Sequence, residues 1–300
     1  ALKKGYSLSE YGIKAQDSGL KQFASEKEFY NFLGLDWIPP ELREGGEEIM
    51  LAKEHKLPKL VELADITGDL HMHSNLDINT SHDVGADSVQ RLASRAIELG
   101  YKYIGVTDHN PKIPDIGLLK KRKSYFEQIN TTSTLFVFNS LEIDIKANGQ
   151  RAIPDEHLEL LDYAAVSIHS SFRQDKKTMT ARILLGLDHP KVKFLAHPTG
   201  RLLQEREGVE ADWDQIFDFC VKNDKALEID GWPNRLDLPD TLVKEAAKYG
   251  VKFVVDTDSH AVGSLDYMQY GVSVARRGWL TKNAIINTGN LKDVKSWLCK

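Results

Sequence analysis

Histidines and carboxylates recur at one kind of place in this sequence, the end of a short apolar run. His71 and His73 close ITGDLHMH, Asp108 and His109 close KYIGVTDH, and Glu142 closes TLFVFNSLE with Asp144 two residues on. His169 ends YAAVSIH, His197 falls in VKFLAHP, and Asp258 and His260 close VKFVVDTDSH. Alternate residues of a strand face one side, so His71 and His73 can reach one ion while Met72 faces away. A lone histidine at a strand end more often serves a hydrogen bond. Six of the 10 histidines in such places, beside Glu142 and Asp258, point to metal instead. They are more ligands than one ion uses, so two or three divalent ions are expected. Mixed His and carboxylate ligands suit hydrolysis, above all of phosphate esters, and His71, His73, Glu142 and Asp258 are expected to carry it. Glu228, inside ALEID, reads as a residue that orients a ligand. His55, His157 and His189 lie elsewhere and are expected to be solvated.

Composition bounds the rest. The 300 residues carry 39 basic and 44 acidic side chains, a net charge of −5, which disfavours a purely electrostatic nucleic-acid binder. Bound divalent ions would invert that field locally and attract a phosphate ester. No run of about 18 apolar residues suggests a membrane span. The N-terminus has no signal-peptide pattern, and two cysteines, Cys220 and Cys299, make no disulfide framework, so a cytoplasmic protein is expected. Nucleotide-binding loops and a serine-nucleophile elbow are absent.

The chemical residues need strands to hold them. Seven apolar, β-branched runs (those above and ALEID) alternate with helical patterns. Val89, Leu92, Ala93, Ala96 and Ile97 share a helix face that Asp87 or Ser88 can cap and Gly100 ends. Leu242, Val243, Ala246 and Ala247 repeat the pattern up to Gly250. Alternating strands and helices predict an α/β fold with a parallel sheet, and polar strand ends predict a barrel with its site at the mouth. Residues 1–64 read differently, as a small helical lead-in: residues 25–35 show helical periodicity with Ser25 as N-cap and Gly34 as stop.

DLHMHS, VTDHN, SLEIDI, SIHSSF, LAHPTGR, ALEIDGWPNRLDL and DTDSH resemble the successive motifs of the PHP (polymerase and histidinol phosphatase) domain. HPTGR, RLDL and YGVSVARRGWL are most similar to the C-terminal PHP domain of bacterial and archaeal X-family DNA polymerases. LSEYG and WIPPELRE resemble the end of a polymerase thumb, so residues 1–64 are expected to be thumb-like and 65–300 the PHP domain. The resemblance implies a distorted (βα)7 barrel and a trinuclear site holding Mn2+ or Zn2+, with Fe2+ as a further option. Carried over position by position, its ligands are His71, His73, His109, Glu142, His169, His197, Asp258 and His260. It implies a 3′–5′ exonuclease or 3′-end phosphoesterase, with the DNA 3′ end or another phosphate ester as substrate and a polymerase region in cis or in trans as partner.

Two departures from the family stand out. The first loop, HSNLDINTSHDVG, is longer than the family's, and either His82 or Asp83 can supply the ninth ligand there, with Asp77 a weaker choice. The chain also lacks a polymerase palm, so DNA synthesis is not expected of it. Arg201, Arg235 and Arg173, just beyond strand ends, are candidates to grip phosphate. Trp232 is a rim aromatic that can stack a base or ribose. A small-molecule phosphatase of histidinol-phosphatase type is the alternative, and a catalytically silent, metal-stabilised docking module the second alternative.

Overall fold

The computed structural model describes residues 1–15 and 19–299 and divides into two compact units, Ala1–Lys59 and Leu60–Lys300. The first departs from a helical lead-in. Strands β1 (Tyr6–Ser9), β2 (Gly12–Ala15) and β3 (Leu20–Lys21) pair antiparallel as a three-stranded sheet ahead of helix α1 (Glu26–Phe32). Both outer strands are mostly exposed, so they carry no apolar alternation for a sequence reading to detect. Ser25 caps α1 by accepting from the Glu28 N–H, and Gly34 follows at φ 74°. Helix α2 (Glu48–Lys53) follows, and the buried Glu48 carboxylate accepts from the N–H groups of Gly45 and Gly46 at 2.9 and 2.8 Å.

The second unit holds a seven-stranded parallel sheet in simple sequential order: β4 (Gly68–Met72), β5 (Tyr103–Val106), β6 (Phe136–Asp144), β7 (Tyr163–Ser167), β8 (Val192–Leu195), β9 (Ala226–Asp230) and β10 (Lys252–Asp256). These are the seven strands expected. The sheet nearly closes into a distorted barrel, because β10 comes back to β4. The His73 N–H donates to the Ser259 carbonyl at 2.7 Å, and the Leu70 N–H donates to Asp256 Oδ1 at 2.6 Å.

Helices α3 (Val89–Glu98), α4 (Ile116–Thr132), α5 (Asp155–Leu158), α6 (Lys176–Leu187), α7 (Trp213–Lys222), α8 (Asp240–Tyr249), α9 (Met268–Arg277) and α10 (Leu291–Leu298) complete this unit. Ser88 caps α3, and Gly250 closes α8 in the left-handed conformation at φ 85°. The outward faces of the strands, such as Ile104, Val137, Leu141, Val166, Leu195, Leu227 and Val255, pack with the helices in one apolar core. Inward faces at the bottom of the barrel form a second core of Tyr103, Phe138, Tyr163, Phe194 and Val254, to which α10 adds Trp297 and Leu298. Gly105 makes room there, since a Cβ would lie 1.8 Å from the Tyr163 hydroxyl. Among the described residues, no helix is long and apolar enough to cross a membrane.

Candidate metal centre

Strand alternation carries the inward face up to the mouth. On β6 it runs Phe138, Ser140, Glu142, Asp144, and on β7 Tyr163, Ala165, Ser167 before His169. The aromatic plug and the charged cluster are therefore two ends of the same strand faces. Glu142 lies at the centre, fully buried. Its Oε1 is 2.7 Å from His197 Nε2 and 3.3 Å from His169 Nε2. Its Oε2 is 3.1 Å from His109 Nδ1, 3.4 Å from His71 Nε2 and 3.5 Å from His73 Nε2. Asp258 Oδ1 approaches His73 Nε2 at 3.0 Å, and His260 stacks on His73 with ring centroids 4.1 Å apart. One carboxylate thus touches five imidazoles, and all eight ligand candidates meet.

These donors fit metal ions, by what they leave unsatisfied. Glu142 Oε2, Asp258 Oδ1, His260 Nε2 and the Nδ1 atoms of His73, His109 and His197 are buried without a hydrogen-bond partner. Orphaned buried polar atoms each cost about 1–3 kcal/mol, so so dense a group needs a ligand to compensate it. The Nε2 atoms of His71 and His73 face each other at 3.2 Å, where two lone pairs would repel without a shared cation or proton. Among the described residues, donor atoms close enough to share an ion occur in four groups: His71, His73, Glu142 and Asp258; His73, His109 and His260; His109, Glu142 and His169; and His82, Asp144 and His169.

The electrostatics say the same. Burial disfavours charge on His71, but Glu228, Asp258 and Glu142 outweigh it and hold the ring well above its usual pKa. His109, also opposed by burial, is pushed up to about 10 by Glu142 and Asp83, and His169 to about 9 by Glu142 and Asp144. His73 goes down, through burial and the neighbouring His260 and His109. Glu142 is held well below the carboxylate range despite its burial, by His169, His109, His197 and His71. Carboxylates held charged in a dry site draw positive charge, as protons on His71, His109 and His169 or as bound cations in their place.

Partners behind the ligands fix their orientation. Glu228 Oε1 lies 2.6 Å from His71 Nδ1, and its Oε2 accepts from the His197 N–H at 2.5 Å. Asp144 Oδ1 meets His169 Nδ1 at 2.7 Å, and His260 Nδ1 donates to the Asp258 carbonyl at 2.8 Å, leaving Nε2 free. His197 and Asp258 adopt left-handed φ values of 28° and 49°, which non-glycine residues rarely accept unless their surroundings impose them.

The long first loop brings both its candidates to the cluster. Asp83 lies 3.5 Å from His109 Nε2 and 3.4 Å from His260 Nε2, and its carboxyl is held low by the His109 bond. His82 lies against Asp144 instead, at 2.9 Å, with its ring on His169 and His109. Asp77 is exposed and accepts from the Asn79 N–H. The arginines do not converge. Arg235 alone lines the cleft, 3.6 Å from Oδ2 of both Asp258 and Asp230. Arg201 holds a loop together, donating to the carbonyls of Arg235 at 2.8 Å and of Leu236. Arg173 is exposed on a separate cavity lined by Phe172 and Arg206. His157 is buried rather than solvated, in the one-turn helix α5, whereas His55 is exposed and His189 half-buried. The roles of Asp144 and Asp230 were missed in the sequence, where strand-end acids beside a motif gave no distinguishing signal. Above the cluster opens a cleft of about 300 Å³, rimmed by Leu202, Trp232, Asn234 and Arg235.

The PHP domain family model matches residues 69–231. The chain belongs to the PHP domain family. Asp258 and His260 lie beyond the matched span, and the fold returns them to it through the meeting of β10 with β4. Residues 1–44 match the DNA polymerase beta thumb. The chain is 37% identical over 305 residues to the DNA polymerase/3'-5' exonuclease PolX of Bacillus subtilis (strain 168), covering 99% of this chain and 52% of that protein. It thus spans about half of that relative's length. A probable phosphatase of Clostridium novyi (strain NT) is 25% identical over 210 residues, 67% of this chain and 83% of the relative. Another, from Thermoanaerobacter sp. (strain X514), is 22% identical over 243 residues, 75% of this chain and 92% of the relative.

Proposed function

We propose that this chain is a metal-dependent phosphoesterase that removes nucleotides from nucleic-acid 3′ ends, a 3′–5′ exonuclease. The observation that carries the reading is Glu142 at the meeting point of five histidines, with Asp258 opposite and the buried donor atoms unsatisfied. The thumb match and the similarity to a protein named polymerase/3'-5' exonuclease favour DNA over a small monoester. A polymerase region, in cis or in trans, is the partner the thumb match suggests, and the cytoplasm the compartment.

His71, His73, Glu142 and Asp258 would hold one ion, His109, His260 and Asp83 a second with His73, and His169 and His197 a third with Glu142. Mixed imidazole and carboxylate donors suit Mn2+ or Zn2+, with Fe2+ also compatible. Divalent ions in such a site activate water for in-line attack and neutralise charge on the attacking and leaving oxygens. The chain's own residues do the rest. Glu228 and Asp144 keep the His71 and His169 rings turned toward the centre, Arg235 offers a guanidinium to a non-bridging phosphate oxygen, and the buried walls exclude bulk water.

A manganese titration with a 5′-labelled single-stranded oligonucleotide tests the reading. Shortening from the 3′ end, abolished by chelator, is the expected result. An intact oligonucleotide with phosphate released from small monoesters would favour the phosphatase, which the probable phosphatases among the relatives keep as the second reading. Turnover of neither would favour the silent module.

A further inference from the structure

From the lip of the cleft an aromatic row leads outward over the second unit. Trp232 packs edge-on against His260, with ring centroids 5.9 Å apart, and against Tyr267 at 5.3 Å and 88°. Tyr267 lies 5.9 Å from Tyr270, at 39°. Neither contact of Trp232 is a face-to-face stack. Exposure is greatest at the outer end of the row, with Trp232 and Tyr267 half-buried and Tyr270 42% exposed.

The backbone holds this row in place. Tyr267 and Tyr270 are three residues apart at the start of α9, on one side of it. The face beside it, with Met268, Gly271, Val272 and Ala275, is buried against the sheet. A side chain at Gly231 would meet the Tyr267 carbonyl at 2.6 Å, and one at Gly271 would meet Val255 at 2.8 Å. These two glycines let the segment just after β9, which carries Trp232, press against the helix that carries the tyrosines.

We infer that this row is a stacking track for the bases upstream of a single-stranded 3′ end, a deepening that rests on the exonuclease reading. With a phosphate at Arg235, the terminal base falls beside Trp232 and the bases before it pass Tyr267 and Tyr270. The row is continuous with the cleft through Trp232, and aromatic stacking, which needs no charge, suits a chain of net charge −5. Stacking accepts any base, so the track gives length dependence without sequence preference.

The test pairs Tyr270→Ala with oligonucleotides carrying an abasic residue at the third position from the 3′ end, opposite Tyr270, which removes a base and keeps its phosphate. In manganese, the unaltered chain should cleave the intact strand with kcat/KM about tenfold above the abasic one, and Tyr270→Ala should cut that preference to near unity. Equal kcat/KM for both substrates in the unaltered chain, or an undiminished preference in Tyr270→Ala, would overturn the inference while exonuclease activity stood. If the unaltered chain cleaved no oligonucleotide, the exonuclease reading would fall and the track with it.

Discussion

The mouth and the bottom of the barrel are made by the same faces of the same strands, and they solve opposite problems. At the bottom, Phe138, Tyr163 and Phe194 fill the interior, Tyr163 donates its hydroxyl to the Leu70 carbonyl at 2.5 Å, and Trp297 and Leu298 of α10 join them. Four residues above Phe138, Glu142 faces five histidines and keeps one oxygen without a hydrogen-bond partner. The bottom is filled by apolar side chains, with Trp297 Nε1 a buried polar atom lacking a partner, while the mouth gathers six such atoms on its ligand candidates. Stability should therefore reside below and function above, and each end predicts a different response to mutation.

The largest expected effect is on catalysis. Asp258→Asn or His71→Ala should lower hydrolysis about a thousandfold or more, by removing several kcal/mol of charge stabilisation. The metal-free Asp258→Asn variant should unfold at the same denaturant midpoint as the unaltered chain or above it, since Asp258 Oδ1 is buried without a hydrogen-bond partner. Phe138→Ala should do the reverse, costing about 3–5 kcal/mol in urea unfolding and leaving kcat nearly unchanged while the chain is folded. If Phe138→Ala cost no stability, or Asp258→Asn unfolded the metal-free chain, the division between the two ends would fail.

Metal removal comes next. At a free ion concentration a thousand times Kd, one bound ion stabilises by about 4 kcal/mol, so chelation should lower the thermal midpoint and fresh manganese restore it. Glu228→Gln sharpens the comparison, because Glu228 touches His71 and the His197 backbone without being placed as a ligand. Its loss should weaken metal affinity or activity by about 10–100-fold, less than loss of a ligand.

The smallest effect concerns pH. Asp237 is fully buried, and burial lifts its carboxyl to about 6 although Thr199 donates to it from both N–H and hydroxyl. A carboxyl with a raised folded pKa contributes stability that is present below pH 4 and lost as pH rises through about 6. Asp237→Asn should therefore gain stability relative to the unaltered chain between pH 4 and 6. A constant difference across that window would show that Asp237 does not titrate as its burial requires.

Much of this was legible in the sequence, because a buried parallel strand announces itself as an apolar run and its ligands fall where the run stops. That is why the sequence alone places His71, His109, His169 and His260 at one mouth. Other features gave no such signal. The outer strands β1 and β3 are mostly exposed and lack apolar periodicity, Asp144 follows Glu142 on one strand face with nothing in the motif to tell their roles apart, and Arg201 and Arg235 lie in different loops with nothing in their motifs to say which turns toward the cleft. The long first loop left His82 and Asp83 as alternatives, since spacing fixes reach along the chain but not direction, and both reach the cluster.

The central claim is that the mouth is a set of donors awaiting several ions, so the most direct measurement counts them. Metal-stripped protein would be dialysed against manganese and analysed for bound metal per chain. Two or three ions, falling when Glu142 is replaced by alanine, are predicted. A count of none, or one unaffected by Glu142→Ala, would contradict the account.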